Sequence, residues 1–352
     1  MVAGMQGDRV KLLFPYEEKK FASALDGGQK RDWGHSLINP DAFYSTTKGK
    51  GVKVCVIDTG IAKFHPDLVD NIKKTFNPYD KEWPEDRVGH GTHCAGIIGA
   101  IDNDIGVIGI APECDLYIAK GLDDNGFGDW DKIAACIHWA VKEGADIVNM
   151  SLGDPNEPPE IVHNAIKYAA SKGVIIVAAS GNDPNSRPSK PTHNDLAYPA
   201  RYPEVIAVAA LDKKGNLAYF SHRSKFLKAI APGVDIYSCY PPKNYAMLSG
   251  TSQAAPMVSG VLSLLKAAEK DGIKNYKDAI VKLSGISDNN KIVNISRGIT
   301  AGVPGFANVL VQSLGEEVDC ALDDEWMKKF ENFDWDWEGG NFVSHSLGVY
   351  DE

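Results

Sequence analysis

The sequence lacks the features that several classes of protein require. No apolar run approaches the roughly 18 residues of a membrane span, and residues 1–20 contain neither the apolar core nor the small-residue cleavage site of a secretory signal. Basic residues are not clustered, which argues against a surface that follows the phosphates of a nucleic acid. We therefore expect a protein that contacts neither a membrane nor a nucleic acid.

Cysteine is present but is not spaced for metal binding or redox chemistry. None of the 6 cysteines belongs to a CxxC pair. Two of them, Cys55 and Cys136, lie inside apolar runs, as reduced and buried thiols do. The pattern favours a cytoplasmic location. The remaining cysteines are Cys94, Cys114, Cys239 and Cys320.

Acidic charge is concentrated at one end of the chain. The 352 residues carry a formal net charge of −10, and residues 314–352 alone hold 12 acidic and 2 basic side chains, which accounts for all of it. This tail is also aromatic, with the sequence FENFDWDWEGG at 330–340. Solvated tails usually lack aromatic residues. Two interpretations remain open, a solvated tail and a tail that docks on the protein or on a second subunit.

Between residues 50 and 265, short apolar segments rich in β-branched residues alternate with amphipathic segments. Strands that are apolar on both faces and are separated by helices predict a parallel sheet that is covered on both sides. The predicted fold class is α/β, with a doubly wound, mostly parallel sheet and helices on both faces, in a core domain of residues 29–313. The predicted strands are 52–58, 115–120, 146–152, 174–180 and 205–210, and the clearest predicted helices are 131–142 and 160–171.

Three polar motifs lie where catalytic groups gather in such a fold, at the carboxyl ends of strands or at helix starts. Asp58 begins DTG, His90 stands in GHGTHCAG, and Ser252 stands in SGTSQAAP. Taken singly, the aspartate and the serine could be turn or helix caps. His90 and His93 could form half of a metal site, although zinc needs a third protein ligand and neither HExxH nor a Cys/His cluster is present.

Together, and in the order Asp, His, Ser, these motifs resemble the signature set of the subtilisin-like serine proteases. The similarity continues through AASGN at 178–182 and YPARYPEVIAVAA at 198–210, and it covers roughly residues 29–313. The resemblance implies a subtilisin-like fold and a serine endopeptidase that acts on protein or peptide substrates.

The resemblance also implies a role for each polar residue. Ser252 Oγ would attack the peptide carbonyl, His90 would carry the proton, and Asp58 would hold the imidazole. Asn182 would donate its side-chain amide to the oxyanion, together with the backbone N–H of Ser252. Alternatively, Asn182 is an ordinary loop residue that follows a glycine.

Substrate binding is expected to use the backbone, because an extended peptide can add as a strand between two segments of the enzyme. The residue before the scissile bond would enter a roomy, uncharged pocket with a floor of small residues, which favours large apolar side chains. Alternatively, these segments are only strand ends. The expected strand segments are Ser151, Leu152 and Gly153 on one side and Gly126, Phe127 and Gly128 on the other, and the expected floor is Ala178, Ala179, Ser180 and Gly181.

The sequence departs from the family pattern beside the nucleophile. Gln253 stands where the family usually has methionine, and Met257 stands where a histidine is usual. Cys94 matches the thiol-bearing branch of the family, and we expect it beneath the imidazole rather than acting as a nucleophile.

The segment AIDNDIGVIG at 100–109 is similar to the tight calcium loop of the family. Calcium prefers six or more oxygen ligands, and without the resemblance this segment would be predicted as a turn. The ligands that the resemblance implies are Gln29, Asp67, Ile101, Asn103, Ile105 and Val107, and a weaker second cation site would use carbonyls of Ala200, Tyr202 and Val205.

Residues 1–28 precede the core domain and contain Leu13, Phe14, Pro15 and Tyr16, which resemble the LIPY-type element of intracellular subtilisins. In that group a short extension crosses the active site until it is removed, so the resemblance implies inhibition in cis, with Pro15 placing a poorly cleavable bond near Ser252. Members of the group are often homodimers. Alternatively, the segment is an apolar cluster that docks elsewhere on the surface.

Two other functions are compatible with the motifs. One is a dedicated processing protease that cuts a single partner or precursor. The other is a binding protein on the same fold without catalytic activity, which conflicts with the presence of all four expected catalytic residues.

Overall fold

The computed structural model describes residues 9–13, 18–21, 28–80, 82–183, 196–224, 226–270 and 310–311. The predicted acidic tail and Cys320 lie outside these residues. The helices are α1 (Trp33–Ile38), α2 (His90–Gly99), α3 (Trp130–Lys142), α4 (Glu160–Ser171) and α5 (Thr251–Lys270), with a 3-10 turn at Pro40–Phe43. The strands are β1 (Arg9–Leu12), β2 (Glu18–Phe21), β3 (Lys53–Asp58), β4 (Ile72–Phe76), β5 (Asp115–Lys120), β6 (Phe127–Asp129), β7 (Ile147–Met150), β8 (Leu152–Gly153), β9 (Ile175–Ala179), β10 (Val205–Leu211), β11 (Ala229–Pro232), β12 (Ile236–Tyr240), β13 (Asn244–Leu248) and β14 (Leu310–Val311).

A large sheet forms the centre of the fold, in the order β14-β11-β10-β9-β7-β3-β5-β4. Every neighbouring pair is parallel except β14 with β11, which is antiparallel. This arrangement confirms the predicted α/β class and contains all five predicted strands. The pattern did not reveal β4, because only its first and last residues, Ile72 and Phe76, are large and apolar and the two lysines between them are exposed.

Alternate residues of β3 show how the sheet is covered on both faces. Val54 and Val56 belong to one buried cluster together with residues of α2 and α5, such as Ile98 and Val258. Cys55 and Ile57 belong to a second cluster together with α3 and α4. Each fully buried aliphatic side chain contributes about 1.5–3 kcal/mol relative to exposure. The run of consecutive apolar residues in β3 is explained by this burial on both faces.

The helices differ according to their surroundings. In α3 the residues Ile133, Ile137 and Ala140 are buried at helical spacing, while Asp131 is exposed and Trp139 is partly exposed. Every residue of α2 is buried, and its small side chains allow close approach to neighbouring segments. A Cβ at Gly96 would lie 2.8 Å from the Cys239 sulfur, so only glycine fits where α2 passes β12. Helix α2 therefore carries its first residues into the interior of the protein.

Two small antiparallel sheets flank the carboxyl end of the large one, in the orders β6-β1-β8 and β12-β13-β2. The N-terminal strands β1 and β2 each complete one of them. Among the described helices, none is both long and apolar enough to cross a membrane.

Candidate active site

Asp58 and His90 are brought together at the carboxyl end of the sheet. Asp58 is the last residue of β3, and His90 is the first residue of α2. His90 Nδ1 lies 2.8 Å from Asp58 Oδ1 and 3.0 Å from Oδ2, and both residues are buried. The backbone N–H of Thr59 also donates to Asp58 Oδ1, at 2.7 Å. The carboxylate is therefore fixed from two sides and can orient the imidazole.

Asp86, a residue that sequence reasoning missed, holds these two segments together. Its buried carboxylate accepts a hydrogen bond from Thr59 Oγ1 at 2.8 Å, directly after Asp58. It also accepts from the backbone N–H of Gly89 at 2.7 Å and of Thr92 at 2.8 Å, at the start of α2. An aspartate that precedes a helix by a few residues is a capping signal that could have revealed it.

The charge environment favours the protonated form of His90. Burial alone would lower the pKa of this imidazole, but the adjacent Asp58 carboxylate outweighs burial and holds the pKa well above its ordinary value. An imidazolium formed here would therefore be stabilised. Burial raises the pKa of the Cys94 thiol, which agrees with its exclusion as a nucleophile.

Ser252 lies at the start of α5 and contacts the N-terminal extension. Its Oγ is 3.2 Å from the Leu13 carbonyl oxygen and 3.2 Å from the Ser151 carbonyl oxygen. Among the described residues, His90 Nε2 has no hydrogen-bond partner. In this state the hydroxyl can donate its hydrogen to the Leu13 or the Ser151 carbonyl, and it is not bonded to the imidazole.

The two segments expected to hold substrate lie on either side of β1. Val10 pairs with Gly128, and Lys11 pairs with Phe127 on one side and with Gly153 on the other. The Leu12 N–H donates to the Gly126 carbonyl at 2.7 Å. The chain's own extension therefore occupies the groove between β6 and β8 as an added antiparallel strand.

Side chains of β1 alternate between the groove and solvent. Val10 and Leu12 are 0% and 1% exposed, whereas Arg9 and Lys11 are exposed. Leu13 is buried, and its Cδ1 lies 3.6 Å from the position that a Cβ at Gly153 would take. The Leu13 carbonyl group therefore lies at Ser252. The predicted positions Phe14, Pro15 and Tyr16 fall outside the described residues.

The predicted pocket floor begins with the last two residues of β9. Ala178 and Ala179 are fully buried and belong to the clusters on opposite faces of the sheet. Gly181 has a φ of +116° and packs against the His222 ring, so a side chain would be both strained and obstructed there. Ser180 is also buried, and no described residue bonds its hydroxyl.

Asn182 is oriented by the residue that precedes the nucleophile. Its Oδ1 accepts from the Thr251 N–H at 3.0 Å and from Thr251 Oγ1 at 2.8 Å. With the oxygen held in this way, the amide nitrogen faces Gly250, 3.1 Å from the position that a Cβ there would take. The amide can therefore donate beside the N-terminus of α5, where backbone N–H groups favour negative charge.

Gln253 is fully buried beside Ser252, and neither of its side-chain polar atoms has a hydrogen-bond partner among the described residues. Its Oε1 lies 2.9 Å from the position of a Cβ at Gly250, on the same side as Asn182. An unsatisfied buried polar group costs about 1–3 kcal/mol. The family's usual methionine would carry no such cost.

The predicted calcium ligands converge on Gln29. Its Nε2 lies 2.7 Å from the Ile101 carbonyl, 3.2 Å from Asn103 Oδ1 and 3.1 Å from the Val107 carbonyl. An amide nitrogen carries two hydrogens, so three oxygen neighbours exceed what it can donate to. The reversed amide would place an oxygen in the same position. A cluster of oxygens with too few donors fits a hard cation.

Asp67 borders this cluster. Its Oδ2 accepts from the Val107 N–H at 2.8 Å and from the Tyr245 hydroxyl at 2.8 Å. Its Oδ1 lies 3.3 Å from Asn103 Nδ2. The N–H of Ile105 faces Asn103 Oδ1 at 3.3 Å, which keeps the loop folded around the cluster. These residues therefore fit the expected calcium site.

Two further metal predictions concern the weaker cation site and the pair His90 and His93. Ala200, Tyr202 and Val205 are all buried, and the Tyr202 carbonyl accepts a hydrogen bond from the Val205 N–H at 3.0 Å. His93 Nε2 faces the backbone carbonyls of Ile236 and Ala246, at 3.1 and 3.2 Å, rather than a shared site with His90. His90 and His93 therefore contact different groups.

Comparisons with known proteins find similar sequences. The sequence model of the subtilase family matches residues 49–282. The "Intracellular serine protease" of Paenibacillus polymyxa is 41% identical over 238 residues, which cover 66% of this chain and 72% of that protein. The "Major intracellular serine protease" of Bacillus subtilis (strain 168) is 41% identical over 241 residues, covering 67% and 74%. "Subtilisin Savinase" of Lederbergia lenta is 42% identical over 239 residues, covering 68% and 85%.

These similarities define the class of protein. The chain belongs to the subtilase family. Within that family it is a subtilisin-like serine endopeptidase.

Proposed function

We propose that the chain hydrolyses peptide bonds through Asp58, His90 and Ser252 and that its N-terminal extension holds it latent. The observation that carries this proposal is the Leu13 carbonyl, 3.2 Å from Ser252 Oγ, at the end of a strand paired on both sides. A backbone carbonyl at the nucleophile, in an extended segment, is the arrangement that a peptide substrate requires.

The reaction follows from the contacts. When the extension leaves, Ser252 Oγ can turn to His90 Nε2, which takes the proton as Oγ attacks the substrate carbonyl. Asp58 keeps the other ring nitrogen protonated and stabilises the imidazolium. The tetrahedral oxyanion receives hydrogen bonds from the Asn182 amide and the Ser252 N–H. His90 then protonates the leaving amine, and water hydrolyses the acyl-enzyme by the same route.

The bound extension also indicates the preferred substrate. A peptide in the place of β1 would pair with Gly126, Phe127 and Gly128 on one side and with Ser151, Leu152 and Gly153 on the other. Leu13 stands where the residue before the scissile bond would stand, and its buried side chain favours an apolar residue there. Val10 is fully buried three residues earlier, which favours a second apolar position. Ala179 and Gly181 would line the pocket.

Latency would depend on the bond after Leu13 staying uncut. With Ser252 Oγ donating to carbonyl oxygens and His90 Nε2 without a described partner, the nucleophile lacks its base. Residues 1–28 would thus act as an inhibitory segment, 29–313 as the catalytic domain and 314–352 as an appended tail.

Calcium would be held by Gln29, Asp67 and Asn103 together with carbonyls of the 101–107 loop. Bound there, the ion would supply positive charge that ties residues 29–30 to this loop, where the Lys30 N–H already donates to the Gly106 carbonyl at 2.7 Å. A second cation at Ala200, Tyr202 and Val205 is a weaker part of the proposal.

A cytoplasmic location is proposed because two relatives are named as intracellular and because the described cysteines are free thiols. Five of the cysteines are free and buried, which suits the cytoplasm. A homodimer is proposed from the family resemblance. A dedicated processing protease is the second candidate, and a broad cleavage profile on a peptide library would contradict it.

The test is intact-mass spectrometry after treatment with a fluorophosphonate, with calcium and with chelator. We expect the full chain in calcium to lose its extension and to gain one phosphonyl group, and Ser252→Ala to do neither. A wild-type chain that loses the extension but is never labelled would contradict the catalytic role of Ser252. An intact wild-type chain that is labelled as fast as the processed enzyme would contradict latency.

A further inference from the structure

The extension forms two strands, and only the first lies in the catalytic groove. Strand β1 ends beside Ser252, where the Leu13 carbonyl is placed. Strand β2 begins at Glu18, the fifth residue after Leu13, and pairs antiparallel with β13. The chain on the far side of the bond at the nucleophile is therefore also held as a strand.

The direction of β2 matches that of a peptide passing through the groove. Strand β13 ends at Leu248, four residues before Ser252 in the chain, and Glu18 pairs with Leu248. Phe21 pairs with Tyr245, at the opposite end of β13. The peptide thus passes Ser252, joins β13 at its near end and continues away from the nucleophile.

Strand β13 depends on β2 for a neighbour on that side. Its other side pairs with β12 over five residues, from Asn244 opposite Tyr240 to Leu248 opposite Ile236. Within the described part of the chain, β2 is the third strand of this sheet. Loss of the extension therefore turns β13 into an edge strand, whose unpaired N–H and C=O groups can accept another extended chain.

We propose that β13 of the active enzyme is a second substrate-binding edge, which pairs with the fifth to eighth residues after the scissile bond. The proposal rests on the proposed function. Its ligand is an extended, unfolded polypeptide, because the contacts are made by backbone groups and do not require particular side chains. Short peptides that end within three residues of the scissile bond cannot reach this edge.

The path of the extension also indicates what kind of molecule would bind to β13. The segment seated on β13 is continuous with the segment seated in the groove, so the two sites are occupied by a single chain. A substrate polypeptide reproduces that continuity, whereas a separate partner or a second copy would have no reason to follow the same direction from Ser252.

The experiment uses the full chain after calcium treatment, once its intact mass shows that the extension is gone. Two fluorogenic peptides share the same residues around the scissile bond, with leucine before it. One ends three residues after the bond, and the other continues to the eighth residue. A third peptide has the long sequence but carries N-methyl groups on the backbone nitrogens of the fifth to eighth residues, which removes those donors.

We expect kcat/KM for the long peptide to exceed that for the short one about tenfold, which is the effect of one or two net backbone hydrogen bonds. The N-methylated peptide should fall back to the value of the short one. Equal values for the long and short peptides would overturn the proposal, as would an N-methylated peptide cleaved as well as the long one.

The outcomes separate this proposal from the proposed function. Cleavage of the short peptide that is lost in Ser252→Ala supports the catalytic proposal, whatever the long peptide does. Equal cleavage of all three peptides would leave the catalytic site as proposed and remove the role of β13. A chain that cleaves the short peptide while its extension is still attached would refute latency and, with it, the inference about β13.

Discussion

Strand β1 keeps the groove closed mainly through buried side chains, and Leu12 tests this directly. Leu12 is 1% exposed and packs above Gly126, where its Cβ lies 3.3 Å from the position of a Cβ at that glycine. Truncation of a buried leucine to alanine costs about 2–5 kcal/mol when the site cannot collapse. A loss of about 3 kcal/mol corresponds to a change of roughly a hundredfold in the ratio of open to closed chains.

The change is Leu12→Ala in the full chain, and the assay is the rate at which fluorophosphonate labels Ser252 before the extension is cut. While the open state is rare, this rate is proportional to its population. We expect Leu12→Ala to be labelled up to a hundredfold faster than wild type, with the rate of the processed enzyme as the upper limit. Intact-mass measurements taken in parallel identify which molecules are uncut.

The control is Lys11→Ala, in the same strand. Lys11 is exposed and keeps its backbone pairing with Phe127 and Gly153 after the change. It should therefore be labelled at nearly the wild-type rate. Equal labelling of Leu12→Ala and wild type, with rapid labelling of the processed enzyme, would refute the reasoning. So would a Lys11→Ala chain that opens as readily as Leu12→Ala.

Three further changes test the site and its surroundings. Asn182→Ala should lower kcat by about 10²–10³, the loss measured for the equivalent donor in a subtilisin, while Michaelis–Menten kinetics show a nearly unchanged KM. Burial lowers the pKa of His93 to about 3, so the folded chain binds fewer protons than the unfolded chain below pH 6.5, and stability is lost as the pH falls. His93→Gln keeps a donor but does not titrate, so between pH 7 and pH 5 it should lose about 2 kcal/mol less of its free energy of unfolding than the wild type, as measured with denaturant. Equal losses in both chains would contradict this. Gln253→Met removes two unsatisfied buried atoms and should raise the unfolding temperature by about 2–4 °C for each kcal/mol gained, and a lowered temperature in calorimetry would mean that the amide has a partner.

The large sheet and the position of the proposed catalytic residues at strand ends and helix starts could be predicted from the sequence for a physical reason. Asp58, His90 and Ser252 each stand where the chain leaves a strand or enters a helix, beside glycines that permit sharp turns. Strands such as β3 are apolar on both faces, so a run of consecutive apolar residues predicts their burial. These are local signals, and they need no knowledge of distant contacts.

The features that escaped prediction depend on partners far away in the chain. The position of Asp86 before α2 is a capping signal, but its contact with Thr59, 27 residues earlier, is not indicated by the residues near either one. The alternation of β1 was visible in Arg9, Val10, Lys11 and Leu12, but four residues are a weak signal without the paired segments at 127–129 and 152–153. The role of β13 as a partner of the extension likewise appears only once the chain is folded.

The occupied groove has a consequence for the kinetics of activation. A molecule whose groove holds its own β1 has no room there for a second segment, so it is poorly placed to cut its own extension elsewhere. The first cuts in a fresh sample would therefore come from rare open molecules acting on their neighbours. Activation should show a lag that shortens as the protein is concentrated, and a trace of processed enzyme should abolish that lag, as a seed does in an autocatalytic reaction.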